Sequence, residues 1–146
     1  MDELIEALKK AQATSFAFYL KAHNYHWNVE GHSFSEYHDF LKGLYEEVFG
    51  AVDTIAELIR TLDAYAPGSF SRFQQLSVIE DELLVPKGIV MMARLYADNQ
   101  QLLVVLTEAY RIAEANNSFG ISNAIQDRIT AHEKHGWMLR SFTKGE

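Results

Sequence analysis

Residues 33–62 read SFSEYHDFLKGLYEEVFGAVDTIAELIRTL, and this stretch decides the fold class. Apolar side chains recur along it at steps of three and four residues: Phe34, Tyr37, Leu41, Leu44, Val48, Val52, Ile55, Ile59 and Leu62. This spacing places them on one face of a helix of about eight turns. Ser33 and Glu36 fit a capping box, in which the hydroxyl and the carboxylate bind backbone N–H groups of the first turn. We therefore predict a long amphipathic helix that begins after Ser33 and ends before residues 66–68, Ala-Pro-Gly.

Three further long helices are predicted on either side of this stretch. The chain has only 2 prolines and 8 glycines, and the glycines within apolar-periodic runs are isolated, which favours uninterrupted helices. The periodicity predicts long helices over about residues 3–29, 86–115 and 119–142, and a short helix over about residues 69–76. Pro86 suits the first turn of its helix, since the N–H that proline lacks would have no partner there.

These elements predict a single all-α domain over residues 1–146. Short loops join the first long helix to the second and the third to the fourth, while a long connection carrying the short helix joins the second to the third. This is the topology of a ferritin-like four-helix bundle with a short extra helix in its long connection. Ile89, His132 and Trp137 are among the side chains expected in its core. A chain of 146 residues is long enough to bury such a core.

Composition excludes several classes of function. The chain has no cysteine, which excludes disulfides, thiolate zinc sites and thiol catalysis. Its net charge is −7, and its 13 lysines and arginines are scattered, whereas nucleic-acid binders usually show a basic patch. No window of the sequence is apolar enough for a membrane span or a signal peptide, so we expect a cytoplasmic protein.

Carboxylates and histidines are the candidate metal ligands of this chain. Ferritin-like bundles often hold two metal ions inside one chain through Glu-x-x-His motifs. None of the 6 histidines has a glutamate three residues before it, so this kind of site is not expected. Asp53 and Glu57 lie one turn apart beside the apolar stripe and could hold one divalent cation. An exposed acidic face is the more common reason for such a pair.

A second stripe on the same helix suggests how the candidates could meet. It consists of His38, Lys42, Tyr45, Phe49, Asp53 and Glu57. His38 precedes Asp53 by 15 residues, or about 22 Å along a continuous helix, so one chain cannot bring both to one ion. If the stripe packs against its own copy about a two-fold axis, His38 of one chain meets Asp53 and Glu57 of the other. His26 could join them across the short turn, and the resulting set suits iron(II), zinc or manganese.

The other histidines have two open interpretations. His23 and His26, like His132 and His135, are three residues apart, so each pair could form a second metal site. Hydrogen-bonded packing or surface exposure is the more common reason for such a spacing. His32 falls in the predicted turn, where a solvated side chain is expected.

Residues 26–31 (HWNVEG), 37–38 (YH) and 52–57 (VDTIAE) resemble the Dps family of mini-ferritins, also called DNA-binding proteins from starved cells. Residues 98–102 (DNQQL) and 133–140 (EKHGWMLR) are similar to the third and last helices of that family. The resemblance covers nearly the whole chain. It implies a homo-dodecameric shell, built from two-fold dimers, that oxidises iron(II) with hydrogen peroxide or oxygen and stores a ferric mineral inside.

The resemblance also implies roles for individual residues. His26 and His38 would be metal ligands from one subunit, and Asp53 and Glu57 would come from its neighbour. Trp27 would lie near the site and could quench radicals. Lys42 stands where the family commonly has an acid that helps the second iron, so we expect one firm iron site and one weak site.

Two further departures from the family pattern concern the entry pores and DNA. The loop at residues 116–123, usually acidic in the family, has no acid, which leaves Asp127 as a possible pore acid. The lysine-rich N-terminal tail through which many relatives bind DNA is missing, so DNA binding is not expected. Three hypotheses follow: an iron-oxidising and iron-storing shell, a DNA-compacting structural protein, or a shell whose degenerate site keeps zinc or nothing.

Overall fold

A computed structural model describes residues 1–145 of the chain as five α-helices, with no strand among these residues. The helices are α1 (Asp2–Asn28), α2 (Phe34–Thr61), α3 (Phe70–Leu76), α4 (Gly88–Ala115) and α5 (Phe119–Thr143). Four are long, and the short α3 lies in the connection from α2 to α4. The predicted all-α four-helix bundle with an extra helix in its long connection is confirmed.

The core is formed by the inner faces of the four long helices. Helix α1 packs against both α2 and α4, α4 packs against α5, and α3 lies on α1. The largest fully buried side chains of the core include Phe18 and Tyr25 of α1, Leu41 and Ile55 of α2, and Met91 of α4. Burying a side chain of this size stabilises the fold by about 1.5–3 kcal/mol. None of the helices in the described part of the chain is long and apolar enough to cross a membrane.

The turn between α1 and α2 determines where the second helix begins. Val29 is buried, and Gly31 has a φ of 105°, a left-handed conformation that favours glycine. The carbonyl of Gly31 accepts the N–H of Phe34, so the chain enters α2 directly from a tight turn. The side chain of Ser33 makes no capping hydrogen bond, because its backbone lies outside the extended region from which a cap reaches the first turn. The predicted capping box is therefore wrong.

Three other predictions are wrong at the ends or faces of helices. Helix α4 begins at Gly88, so Pro86 lies in the extended approach to the helix and not in its first turn. Ile89 and Trp137 were expected in the core but are 43% and 55% exposed. Trp137 lies away from the buried line of α5, which runs through Ile125, His132 and Leu139. The burial of His132 is confirmed.

Candidate functional site

His26 and His38 lie against each other across the turn between α1 and α2. Their rings stack with centroids 3.8 Å apart and an interplanar angle of 17°. The Nδ1 atom of His26 is 2.8 Å from the carbonyl oxygen of His38, and Nδ1 of His38 is 2.8 Å from the carbonyl oxygen of His26. The two residues therefore bind each other's backbone reciprocally, and one carbonyl used in this way lies at the end of α1, where the helix leaves carbonyls unpaired.

These hydrogen bonds fix the protonation pattern of both rings. A carbonyl oxygen only accepts, so each Nδ1 must carry the proton and donate it. In the neutral imidazole the lone pair is then on Nε2, which is the atom left available to a metal. A hydrogen bond from the other ring nitrogen to a carbonyl is the usual way in which proteins orient a metal-binding histidine.

Aromatic rings surround His23, which lies next to this pair. Its ring stacks on Tyr45, with centroids 3.7 Å apart, and on Trp27, with centroids 3.8 Å apart. Its Nδ1 atom is 2.9 Å from the hydroxyl of Tyr19. Burial, together with the nearby His26, lowers the pKa of His23. His23 is thus held by packing and hydrogen bonding, while Trp27, which stacks on His23, is 59% exposed.

Asp53 and Glu57 are not near the histidines of their own chain. Both are exposed side chains on α2, which runs without interruption from Phe34 to Thr61. At about 1.5 Å per residue, Asp53 lies about 22 Å along the helix from His38. Phe49, one turn before Asp53 on the same face, is 57% exposed.

Three further residues singled out from the sequence lie in solvent, namely Lys42, Asp127 and His32. Lys42 is exposed one turn after His38, and its Nζ is 3.9 Å from Oε1 of Glu46. Asp127 is exposed near the start of α5, and His32 is exposed in the turn before α2. Within residues 1–145, no three histidine or acidic side chains of one chain are grouped to hold a metal ion. The structure thus brings together His26 and His38 and leaves the two carboxylates apart.

Comparison with known proteins identifies the family. The sequence-family model of the ferritin-like domain matches residues 5–145. A low temperature-induced protein of Nostoc is 32% identical over 98% of this chain and 81% of its own length. DNA protection during starvation protein 2 of Bacillus anthracis is 29% identical over 96% of each chain. The crystal structure of Dps from Vibrio cholerae O1 superposes with a TM-score of 0.94 at 29% identity, covering 98% of this chain and 90% of that one.

The chain belongs to the Dps family. The Vibrio cholerae protein is described as a member of a broad superfamily of ferritin-like diiron-carboxylate proteins. Membership of the Dps family supports a function of the iron-storage and ferroxidase type in general terms.

A second polar cluster, which the sequence did not predict, joins α2, α4 and α5 of this Dps bundle and reaches the surface at Glu47. Both Nη atoms of Arg128 donate to the carboxylate of Glu47, and one of them, Nη2, is also 3.0 Å from Nε2 of His132. His135 donates from Nε2 to Oε1 of Glu47 at 2.7 Å, and Nδ1 of His132 donates to Oδ1 of Asn99 at 2.8 Å. We call these five residues the internal polar cluster. His132 and His135 thus form hydrogen-bonded packing rather than a surface pair.

The charges within the internal polar cluster are strongly perturbed. Burial alone would raise the pKa of Glu47, but hydrogen bonds from His135 and Arg128 outweigh it and hold this pKa well below its usual range. Burial, helped by the positive charge of Arg128, lowers the pKa of His132 well below its usual value, so the ring stays neutral. One sequence signal could have found the cluster: Arg128, His132 and His135 are spaced by four and three residues on the core face of α5.

Proposed function

We propose that this protein oxidises iron(II) at sites shared between two copies of the chain and stores the ferric product inside a dodecameric shell. Hydrogen peroxide or oxygen would accept the electrons. Each iron(II) gives up one electron, and a peroxide molecule takes up two. Iron is thus the substrate, and the protein groups bind it and hold it in place without acting as acid–base catalysts.

The observation that carries this proposal is the reciprocal bonding of His26 and His38. Both Nδ1–H groups are used within the chain, so two Nε2 lone pairs are presented without any further ordering of the rings. Imidazole nitrogen suits iron(II), but two imidazoles alone leave most of the coordination sphere of a divalent ion unfilled. The pair is therefore half of a site.

A two-fold copy of α2 supplies the missing half. Asp53 and Glu57 are exposed, one turn apart, and lie on the face of α2 that also carries His38 and the exposed Phe49. Antiparallel packing of this face on itself would bury Phe49 near the axis and bring the two carboxylates of each chain to the imidazoles of the other. Two negative carboxylates would also stabilise iron as its charge rises from +2 to +3.

Trp27 is the residue best placed to protect the protein at such a site. Its indole is exposed and stacks on His23, which lies beside His26. An indole can give up an electron to an oxidising radical that escapes the metal. We therefore assign it a protective role and not that of a ligand.

Iron(II) added anaerobically to the apo-protein, followed by peroxide, tests the proposal. We expect ferric absorbance to rise faster than in buffer, in a particle much larger than one chain. His26→Ala and Asp53→Ala should each abolish the fast phase, while His32→Ala, the exposed histidine of the turn, should not. A monomer that oxidises iron no faster than buffer would contradict the proposed function.

A further inference from the structure

The internal polar cluster has the donor types of a metal site, but the guanidinium of Arg128 lies where its acceptors meet. With Arg128 in place, its histidine and acidic side chains are not grouped to hold a metal ion. Arg128, His132 and His135 are at most 9% exposed, while Glu47, whose side chain is 40% exposed, joins the cluster from the surface of α2. Its acceptor atoms converge on one group, the guanidinium of Arg128. Both carboxylate oxygens of Glu47 accept from it, and so does Nε2 of His132.

The protonation of His132 follows from its neighbours. Arginine only donates hydrogen bonds, so Nε2 of His132 must present its lone pair to Arg128. Its Nδ1 atom then carries the proton and donates to Oδ1 of Asn99, while Nδ2 of Asn99 donates to the carbonyl of His132 at 2.8 Å. A histidine held in this tautomer by an amide oxygen is arranged as a metal ligand would be.

The space for this support depends on Gly136. A Cβ atom at Gly136 would lie 2.9 Å from Nδ2 of Asn99 and 3.2 Å from Oε1 of Gln100. The first distance is too short for a real contact, so a side chain here would displace Asn99. The close approach of α4 and α5 at this glycine therefore keeps His132 oriented.

We propose that Arg128 is a resident cation that fills a latent divalent-metal site formed by Glu47, His132 and His135, and so keeps metal out of the bundle interior. Carboxylate oxygen and imidazole nitrogen are the ligands that zinc, cobalt and iron(II) accept. Ferritin-like bundles build metal sites from inward carboxylates and histidines of facing helices, and here the guanidinium lies where such donors converge. The consequence is selectivity, because metal is left to sites outside the bundle core.

The way in which Arg128 is buried supports this role. Its Nε atom is buried without a hydrogen-bond partner, so the cluster does not use the full donor capacity of the side chain. The ion pair is only half-buried, because the Glu47 side chain is 40% exposed, and ion pairs contribute little net stability at such positions. Charge compensation of Glu47 at the point where the acceptors converge accounts for the placement of the guanidinium. The inference does not rest on the function proposed above.

Cobalt(II) binding to Arg128→Met tests the proposal, because methionine replaces the side chain with an uncharged one. The wild type and the variants are compared in a His26→Ala background, which weakens the proposed intersubunit site equally in all of them. We expect about one additional cobalt(II) per chain in Arg128→Met, with visible d–d bands of nitrogen and oxygen ligation. Arg128→Lys keeps a cation in place and should bind no additional cobalt, and adding Glu47→Gln to Arg128→Met should abolish the gain.

Folding of the variant provides a second measurement. If Arg128→Met is destabilised because Glu47 has lost its cation, zinc(II) should restore its melting temperature but leave that of Arg128→Lys unchanged. A folded Arg128→Met that binds no more cobalt than the wild type would overturn the proposal. So would a destabilised Arg128→Met whose melting temperature does not respond to zinc.

Discussion

Mixing two inactive variants should restore iron oxidation if the site is shared between chains. His26→Ala removes a ligand from the imidazole half, and Asp53→Ala removes one from the carboxylate half. Helix α2 is continuous from Phe34 to Thr61, so one chain holds the halves about 22 Å apart. Each variant alone has a defect at every site, and neither should show the fast phase.

The expected recovery can be worked out from two-fold symmetry. With random pairing about half of the dimers are mixed. In a mixed dimer one site joins the intact imidazoles of the Asp53→Ala chain to the intact carboxylates of the His26→Ala chain. The other site collects both defects. About a quarter of all sites are therefore intact, and the fast phase should recover to about a quarter of the wild-type amplitude.

The assay is peroxide-driven ferric absorbance after the two variants have been dissociated and reassembled together. Mixing His26→Ala with His38→Ala is the matched control. Both defects then lie in the imidazole half, no pairing yields an intact site, and no recovery is expected. Absence of recovery in the first mixture, after mixed dimers have been demonstrated by differential tagging, would refute the shared site.

Three other predictions concern charge, packing and pH. Lys42→Asp should tighten binding of a second iron, because it replaces a repelling ammonium; an unchanged two-step anaerobic iron(II) titration would count against this. Gly88→Ala should lower stability by about 1–3 kcal/mol in thermal unfolding, because its Cβ would lie 2.6 Å from the ring of Tyr37. Gly120→Ala, which meets nothing within 4 Å, should be neutral or stabilising, and equal losses in the two variants would contradict the argument. His132 is neutral when folded and takes up a proton when unfolded, so stability should fall as pH drops below about 6.5. In urea unfolding, the free energy of unfolding of His132→Asn should depend less on pH than that of the wild type between about pH 6.5 and 5. This window lies above the range in which Glu47 titrates.

Much of the fold could be predicted because helix periodicity is a local property. The end of α4 at Ala115, the start of α5 at Phe119 and the short α3 were predicted to within a residue. The capping box at Ser33 failed because the tight turn at Gly31 determines the backbone angles of Ser33, and a four-residue motif does not contain that turn. The predicted burial of Trp137 was wrong because tryptophan is typical of cores, whereas position 137 lies off the buried face of α5.

The candidate site was predictable in part for the same reason. The proximity of His26 and His38 follows from a short turn between two helices, which the sequence shows. Their reciprocal bonds to backbone carbonyls depend on the exact placement of two rings and could not be read from spacing. The internal polar cluster was missed because its ion pair joins Glu47 to Arg128, residues far apart in sequence, and charged residues are normally taken to be exposed.

The reciprocal bonds between His26 and His38 also bear on when, in the life of a subunit, the proposed chemistry begins. Both bonds lie within one chain and join the end of α1 to the start of α2, so they form as this helical hairpin folds. In the proposed site the carboxylate half comes only with a neighbour. A newly made subunit would carry a finished but idle pair of ligands, and assembly would be the event that switches oxidation on. Iron would then be oxidised only by subunits that have already paired.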